Sequence, residues 1–169
     1  KQNTGKLTVN GSFVTDTLRV EGGSLALNGE GNSFNHVELA GAEEGGVLDI
    51  NRNTVMGDLT DSGEGAALNI GSGASLSVNG ASSLSSSTIQ GSGTLTLRDT
   101  LEISGTASLQ GGVLLDLAKD DDSTGTLDLG STSGSTVSGI GGEGTLKSAG
   151  GVLTVNTGNS GGGSVFSGT

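Results

Sequence analysis

Gly141–Thr169 reads GGEGTLKSAGGVLTVNTGNSGGGSVFSGT, and its internal rule decides the fold. A glycine-rich break is followed by a short apolar–polar–apolar triplet, and then by another break. Leu146-Lys147 and Leu153-Thr154-Val155 carry the apolar anchors, and Val165-Phe166 begins the next unit.

The same rule runs back through the chain. Leu7-Thr8-Val9 precedes Asn10-Gly11, Leu18-Arg19-Val20 precedes Glu21-Gly22-Gly23, and Leu25-Ala26-Leu27 precedes Asn28-Gly29. Val37-Glu38-Leu39, Leu48-Asp49-Ile50, Leu68-Asn69-Ile70, Leu76-Ser77-Val78, Leu95-Thr96-Leu97, Leu101-Glu102-Ile103, Leu115-Asp116-Leu117 and Leu127-Asp128-Leu129 repeat it. The unit near Leu59 is looser, and Leu84 and Ile89 are irregular. Each triplet has the period of two that puts its ends on one face of a strand and its middle on the other. None shows helical recurrence, and glycine at this density disfavours helix by about 1 kcal/mol per site. Anchors fall roughly nine residues apart, the spacing of all-β folds.

Composition sharpens the choice. Leu, Ile, Val and Phe make up 41 of 169 residues, 34 are Gly, and the net charge is −11. Such a chain approaches the disordered class, yet regular apolar spacing has no use in a disordered chain. A sandwich or barrel needs strands of about five or six residues and a thick core, whereas these strands are three to five long and the only aromatics are three Phe. The reading is therefore all-β: a right-handed parallel β-helix (solenoid) with about three short strands per coil. Three strands of nine residues predict ~27 residues per coil and ~6 coils. Gly and Asn supply the corners, and the absence of Pro keeps every N–H available for a ladder. Gly31 to Asn35, Asp58 to Glu64 and Asp120 to Gly125 are expected to be loops leaving the corners.

The chain has no Cys, hence no disulfide framework or thiolate zinc site. Seven scattered Lys and Arg against 18 Asp and Glu exclude a basic nucleic-acid face. No apolar run is long enough to cross a membrane as a helix.

Gly144-Thr145-Leu146-Lys147-Ser148-Ala149-Gly150-Gly151-Val152-Leu153-Thr154-Val155 resembles the autotransporter-associated β-strand repeat, a pattern of Gly-x-Leu-x-Lys-x-Gly-x-Gly-Thr-Leu-x-Leu. Ser164-Val165-Phe166-Ser167-Gly168-Thr169 resembles the aromatic-Ser-Gly-Thr turn that follows it. Ser92-Gly93-Thr94-Leu95-Thr96-Leu97 and Gly125-Thr126-Leu127-Asp128-Leu129 are shorter matches. The departures are Gly151-Val152 in place of Gly-Thr, and a turn lengthened by Gly161-Gly162-Gly163. The resemblance implies a passenger domain of a type V secreted protein, displayed on or released from a Gram-negative outer membrane. On that reading 1–169 is a single β-helix segment, a fragment of a longer passenger domain whose membrane barrel lies elsewhere.

His36 is the only histidine, and Asp61-Ser62-Gly63 echoes a serine-protease motif without its flanking glycines. The bland reading of His36, a solvated residue at a strand entrance, is preferred. Lys119-Asp120-Asp121-Asp122-Ser123-Thr124 is the one dense charge run; its carboxylates suit Ca²⁺ in kind but not in spacing, and a solvated corner loop is the expectation. Outward carboxylates (Glu38, Asp49, Glu102, Asp116, Asp128) suit a polysaccharide-processing enzyme poorly, since Arg19 is the only base among the clear triplets. Thr94-Leu95-Thr96 is too isolated for an ice-binding ladder. No catalytic residue, metal or cofactor is assigned. The expected function is non-enzymatic adhesion or self-association on the cell surface, with Asp116, Asp120, Asp121, Asp122 and Asp128 as binding candidates. The expected partners are further copies, host surface, matrix or glycan, with a structural stalk as the alternative.

Overall fold

The structure, a computed structural model of the chain, describes residues 5–41 and 45–156. Among them it contains strands and no helix, stacked in parallel as a solenoid of about seven turns. The first three turns hold two strands each: β1 (Lys6–Val9) and β2 (Val14–Glu21), β3 (Ser24–Leu27) and β4 (Asn32–Ala40), β5 (Val47–Ile50) and β6 (Thr54–Ser62). Later turns hold three. These are β7 (Ala67–Ile70), β8 (Ser75–Val78) and β9 (Ser82–Leu84); β10 (Thr88–Gly91), β11 (Thr94–Leu97) and β12 (Thr100–Ile103); then β13 (Ser108–Gly111), β14 (Leu114–Leu117) and β15 (Thr126–Asp128). The last described turn holds β16 (Ser133–Val137), β17 (Gly139–Gly142) and β18 (Thr145–Lys147), and β19 (Val152–Val155) opens another.

One side of the rod is the sheet β1-β3-β5-β7-β10-β13, continued by the pair β16-β19. On the other side the long strands β2, β4 and β6 pair with one another. Above β6 this side divides: Thr54–Met56 pair with β8 and Thr60 with β9, and each branch then climbs separately. The nine-residue β4 and β6 depart from the expected short strands. They absorb all of Gly31 to Asn35 but Gly31 itself, and most of Asp58 to Glu64, which therefore are not corner loops. The third expected loop, Asp120 to Gly125, does leave the coil.

The turn is also shorter than expected. Lys6 stands beside Ser24, Val47 beside Ala67 and Thr88 beside Ser108, about 20 residues per turn rather than ~27. The expected figure allowed about nine residues per strand, but even the three-strand turn of β10 to β12 takes only 20 residues, from Thr88 to Ser108. Where residues 118–125 project, the period lengthens, so that Thr100 stands beside Thr126.

Register stacks the apolar triplet ends into columns. Leu25, Leu48, Leu68, Ile89 and Leu109 form one; Leu76, Leu95, Leu115 and Ile140 form another. All but Ile140 are buried, and nearly the whole core is Leu, Ile, Val and Ala. Phe34, the largest buried side chain, meets Phe13 edge-on at 5.5 Å. Corners let successive turns approach closely: a Cβ on Gly125 would lie 2.0 Å from the Leu97 carbonyl oxygen. The stretch Gly144–Val155 holds β18, β19 and the corner between them. The second half of the resemblance, Ser164–Thr169, lies outside the described residues.

Candidate binding surface

Parallel in-register strands also stack the triplet centres, so the outward face carries polar columns spaced one turn apart. Asp49, Asn69, Gln90 and Gln110 make one column. Asn69 Nδ2 donates to Asp49 Oδ1 at 2.7 Å and Gln90 Nε2 to Asn69 Oδ1 at 2.8 Å, whereas Gln110 turns aside to Ser108 Oγ at 3.0 Å. At a corner Asn51 donates to Asn28 at 2.8 Å and Asn28 to Asn10 at 3.1 Å.

Across the rod, the longest column runs Arg19, Glu38, Thr60, Ser83, Glu102, Asp128 and Lys147. Its base is paired, Arg19 Nη1 lying 3.1 Å from Glu38 Oε2. Higher up, Glu102 and Asp128 are adjacent acids, with Lys147 beyond. Like charges side by side repel, and the chain's own Lys147 stands in register on the far side of Asp128.

Of the five candidate aspartates, Asp116 and Asp128 flank one projection and the other three sit on it. Asp116 on β14 stands between Thr96 and Gly141, with Thr96 Oγ1 at 3.4 Å, and is half-buried. Asp128 on β15 is half-buried and accepts the Gly130 N–H at 3.0 Å. Between β14 and β15 the chain makes a small hairpin, closed by an antiparallel bridge of Lys119 to Thr124 and by Gly125 N–H donating to Ala118 C=O at 2.6 Å. Asp120, Asp121 and Asp122 sit exposed on it, and Asp120 forms an ion pair with Arg98. The hairpin does not gather these acids into a cage. Among the described residues no three His, Asp or Glu side chains are grouped to hold a metal ion.

Three features of the surface escape the sequence reading. His36 lies inside β4, not at its entrance, and its Nδ1 is 2.6 Å from Asp58 Oδ2. Ser62 donates instead to Glu38 Oε1 at 2.5 Å, so the hydroxyl that a triad would need is engaged elsewhere. Asp61 is the second feature. Its Oδ1 accepts the Ser85 N–H at 2.9 Å, and its Oδ2 accepts the N–H groups of Ser86 and Ser87, both at 2.8 Å. Burial alone would raise its pKa, but the hydrogen bonds from Ser85 and Ser86 outweigh it and hold the carboxyl below its ordinary value.

The third is an open groove of about 570 Å³ beside β13, lined by Gln110, Gly111, Gly112, Thr136, Ser138 and Asn156. It lies where β13 and β16 run side by side without a continuous ladder. Ser135 Oγ accepts the Leu109 N–H at 3.2 Å in place of a main-chain partner. The only sequence signal is a glycine pair, Gly111-Gly112, followed a turn later by Gly134.

No protein-family model, curated protein or solved structure matches the chain.

Proposed function

We propose that the chain is a non-enzymatic, rod-like segment of a bacterial surface protein, a type V passenger domain, that engages further copies or host-surface, matrix or glycan ligands through its polar sides. The observation that carries this reading is the continuity of outward columns along the rod, with the adjacent acids Glu102 and Asp128 in one of them, together with an exposed acidic hairpin. Repeated weak contacts along two such rods multiply through valency. With three Phe and no Trp or Tyr the chain has few aromatic anchors, so contacts of this kind are polar and individually weak. A stalk reading draws on a different observation. The amide columns Asn10-Asn28-Asn51 and Asp49-Asn69-Gln90 satisfy themselves internally, as a spacer would require.

Beads coated with the chain test the two readings. Clustering of coated beads that disappears with Asp121→Lys, Asp122→Lys and Asp128→Lys together supports engagement through the acidic side. Dispersed wild-type beads that also bind no matrix or glycan leave the stalk.

A further inference from the structure

Between β14 and β15 the chain leaves the ladders that hold its neighbours. Leu101 stands beside Ser82, 19 residues earlier, but Thr126 stands beside Thr100, 26 residues earlier, and the excess is the hairpin. Its main-chain bonds close on itself. Lys119 bridges Thr124, Asp120 N–H donates to Ser123 C=O at 2.9 Å, and Gly125 N–H donates to Ala118 C=O at 2.6 Å. An ion pair of Asp120 with Arg98, both partly exposed, ties the tip to the turn below.

An endopeptidase takes its substrate as an extended segment, so a peptide bond held in a ladder is closed to it and an exposed loop tip is open. The basic residues separate on this ground. Among the described residues Lys6, Arg19 and Lys147 lie in β1, β2 and β18, and Arg98 N–H donates to Val78 C=O. Arg52 sits in the short corner between β5 and β6, where its C=O accepts the Thr54 hydroxyl at 3.0 Å. Lys119 is the basic residue exposed on a segment outside the coil. The two lengths of chain that meet at Lys119 are also held together without it. β15 is in register with β12 through Thr126, Leu127 and Asp128, and β17 with β14 from Leu114 to Leu117. Ser135 Oγ accepts the Leu109 N–H, and Ser138 Oγ donates to Gly112 C=O at 2.8 Å. Leu127, Leu129 and Val137 are buried in the same core as Leu97, Leu109 and Leu115.

We propose that the hairpin is a processing site for an endopeptidase that cleaves after a basic residue, that the Arg98–Asp120 pair latches it, and that the cut rod persists as two chains. Water adds across the Lys119–Asp120 bond, its hydroxyl to the Lys119 carbonyl carbon and its proton to the Asp120 nitrogen. A new carboxylate and a new amine result, both on the projection and neither in a ladder. Cleavage here does not draw on the polar columns and is compatible with either an adhesive rod or a stalk.

Limited digestion of the folded 169-residue chain with a lysine-specific serine endopeptidase, followed by mass spectrometry and native size exclusion, reads this directly. The expected first internal cut leaves pieces that end at Lys119 and begin at Asp120, elute together at the size of the intact rod, and part only in denaturant. Arg98→Gln removes no site for this enzyme and should raise the rate by up to about fivefold, the most that an exposed ion pair supplies. Lys119→Gln should leave the hairpin whole under the same conditions. A first internal cut after Lys6 or Lys147, a Lys119 bond cleaved no faster than the rod unfolds, or pieces that separate on the native column would each overturn the proposal. An Arg98→Gln chain cut at the wild-type rate overturns the latch.

Discussion

In the column that holds Val20 and Leu39, the next residue is Asp61, an acid where the pattern calls for an aliphatic side chain. It stands there because it closes the next turn, accepting the N–H groups of Ser85, Ser86 and Ser87. Its carboxyl is depressed relative to the unfolded chain. It therefore contributes stability that is present above the unfolded value, near 3.8, and lost as pH falls through the lower folded value. Asp61→Asn removes the charge that strengthens these bonds and should cost about 1–2 kcal/mol, the lower part of the range for a charged acceptor, since the group is partly exposed to solvent. Thermal melts of both proteins should differ at pH 7 and converge as the pH falls below the ordinary carboxylate value; a gap that stays constant with pH would show that the charge plays no part. From the sequence the residue stands out only in Asp61-Ser62-Gly63 and in the looseness of the Leu59 unit, neither of which shows this role. Three consecutive serines give no sign that their N–H groups converge on one carboxylate, because that depends on which residue lies one turn below. His36 with Asp58 is illegible for the same reason, a partner 22 residues away.

Strands were legible because period-two burial is local. Leu95 and Leu115, expected to point inward, are fully buried and neighbours in register. Strand length was not legible, since a long strand spanning two sides and two short strands divided by a corner give the same alternation of anchors. Asn32–Ala40 runs on without a glycine and Thr54–Ser62 runs on through Gly57, whereas one turn higher residues 79–81 divide β8 from β9. Asp116 and Asp128 were legible on the outward face as triplet centres, and Asp120, Asp121 and Asp122 as a solvated charge run, but the Arg98–Asp120 pair depends on a hairpin whose closure the sequence does not announce. Packing within a column sets the cost of changing an anchor. Leu115→Ala removes a side chain held between Leu95 and Ile140 and should destabilise by about 2–5 kcal/mol. Leu95→Asp, which buries a charge with no partner, should be worse. Circular dichroism and thermal melting check both, and unaltered melting would refute the inward assignment.

Along the whole rod each turn touches chiefly the turns above and below it, so stability is closer to a sum of neighbouring interfaces than to one shared core. The consequence is a spatial pattern of opening. Leu48 lies in β5, between Leu25 and Leu68, and is fully buried; Leu115 lies three turns higher. Leu48→Ala should speed amide hydrogen exchange in β3, β5 and β7 while leaving β14, β15 and β18 close to wild type. Leu115→Ala should do the reverse, accelerating β11, β14 and β17 and sparing β1 to β4. At the low end of the expected destabilisation the acceleration is roughly thirtyfold, one factor of ten per 1.4 kcal/mol. Two mirror-image profiles require that a turn open without its distant neighbours. Identical, uniform acceleration in both variants would instead mean that the columns couple the rod into a single cooperative unit.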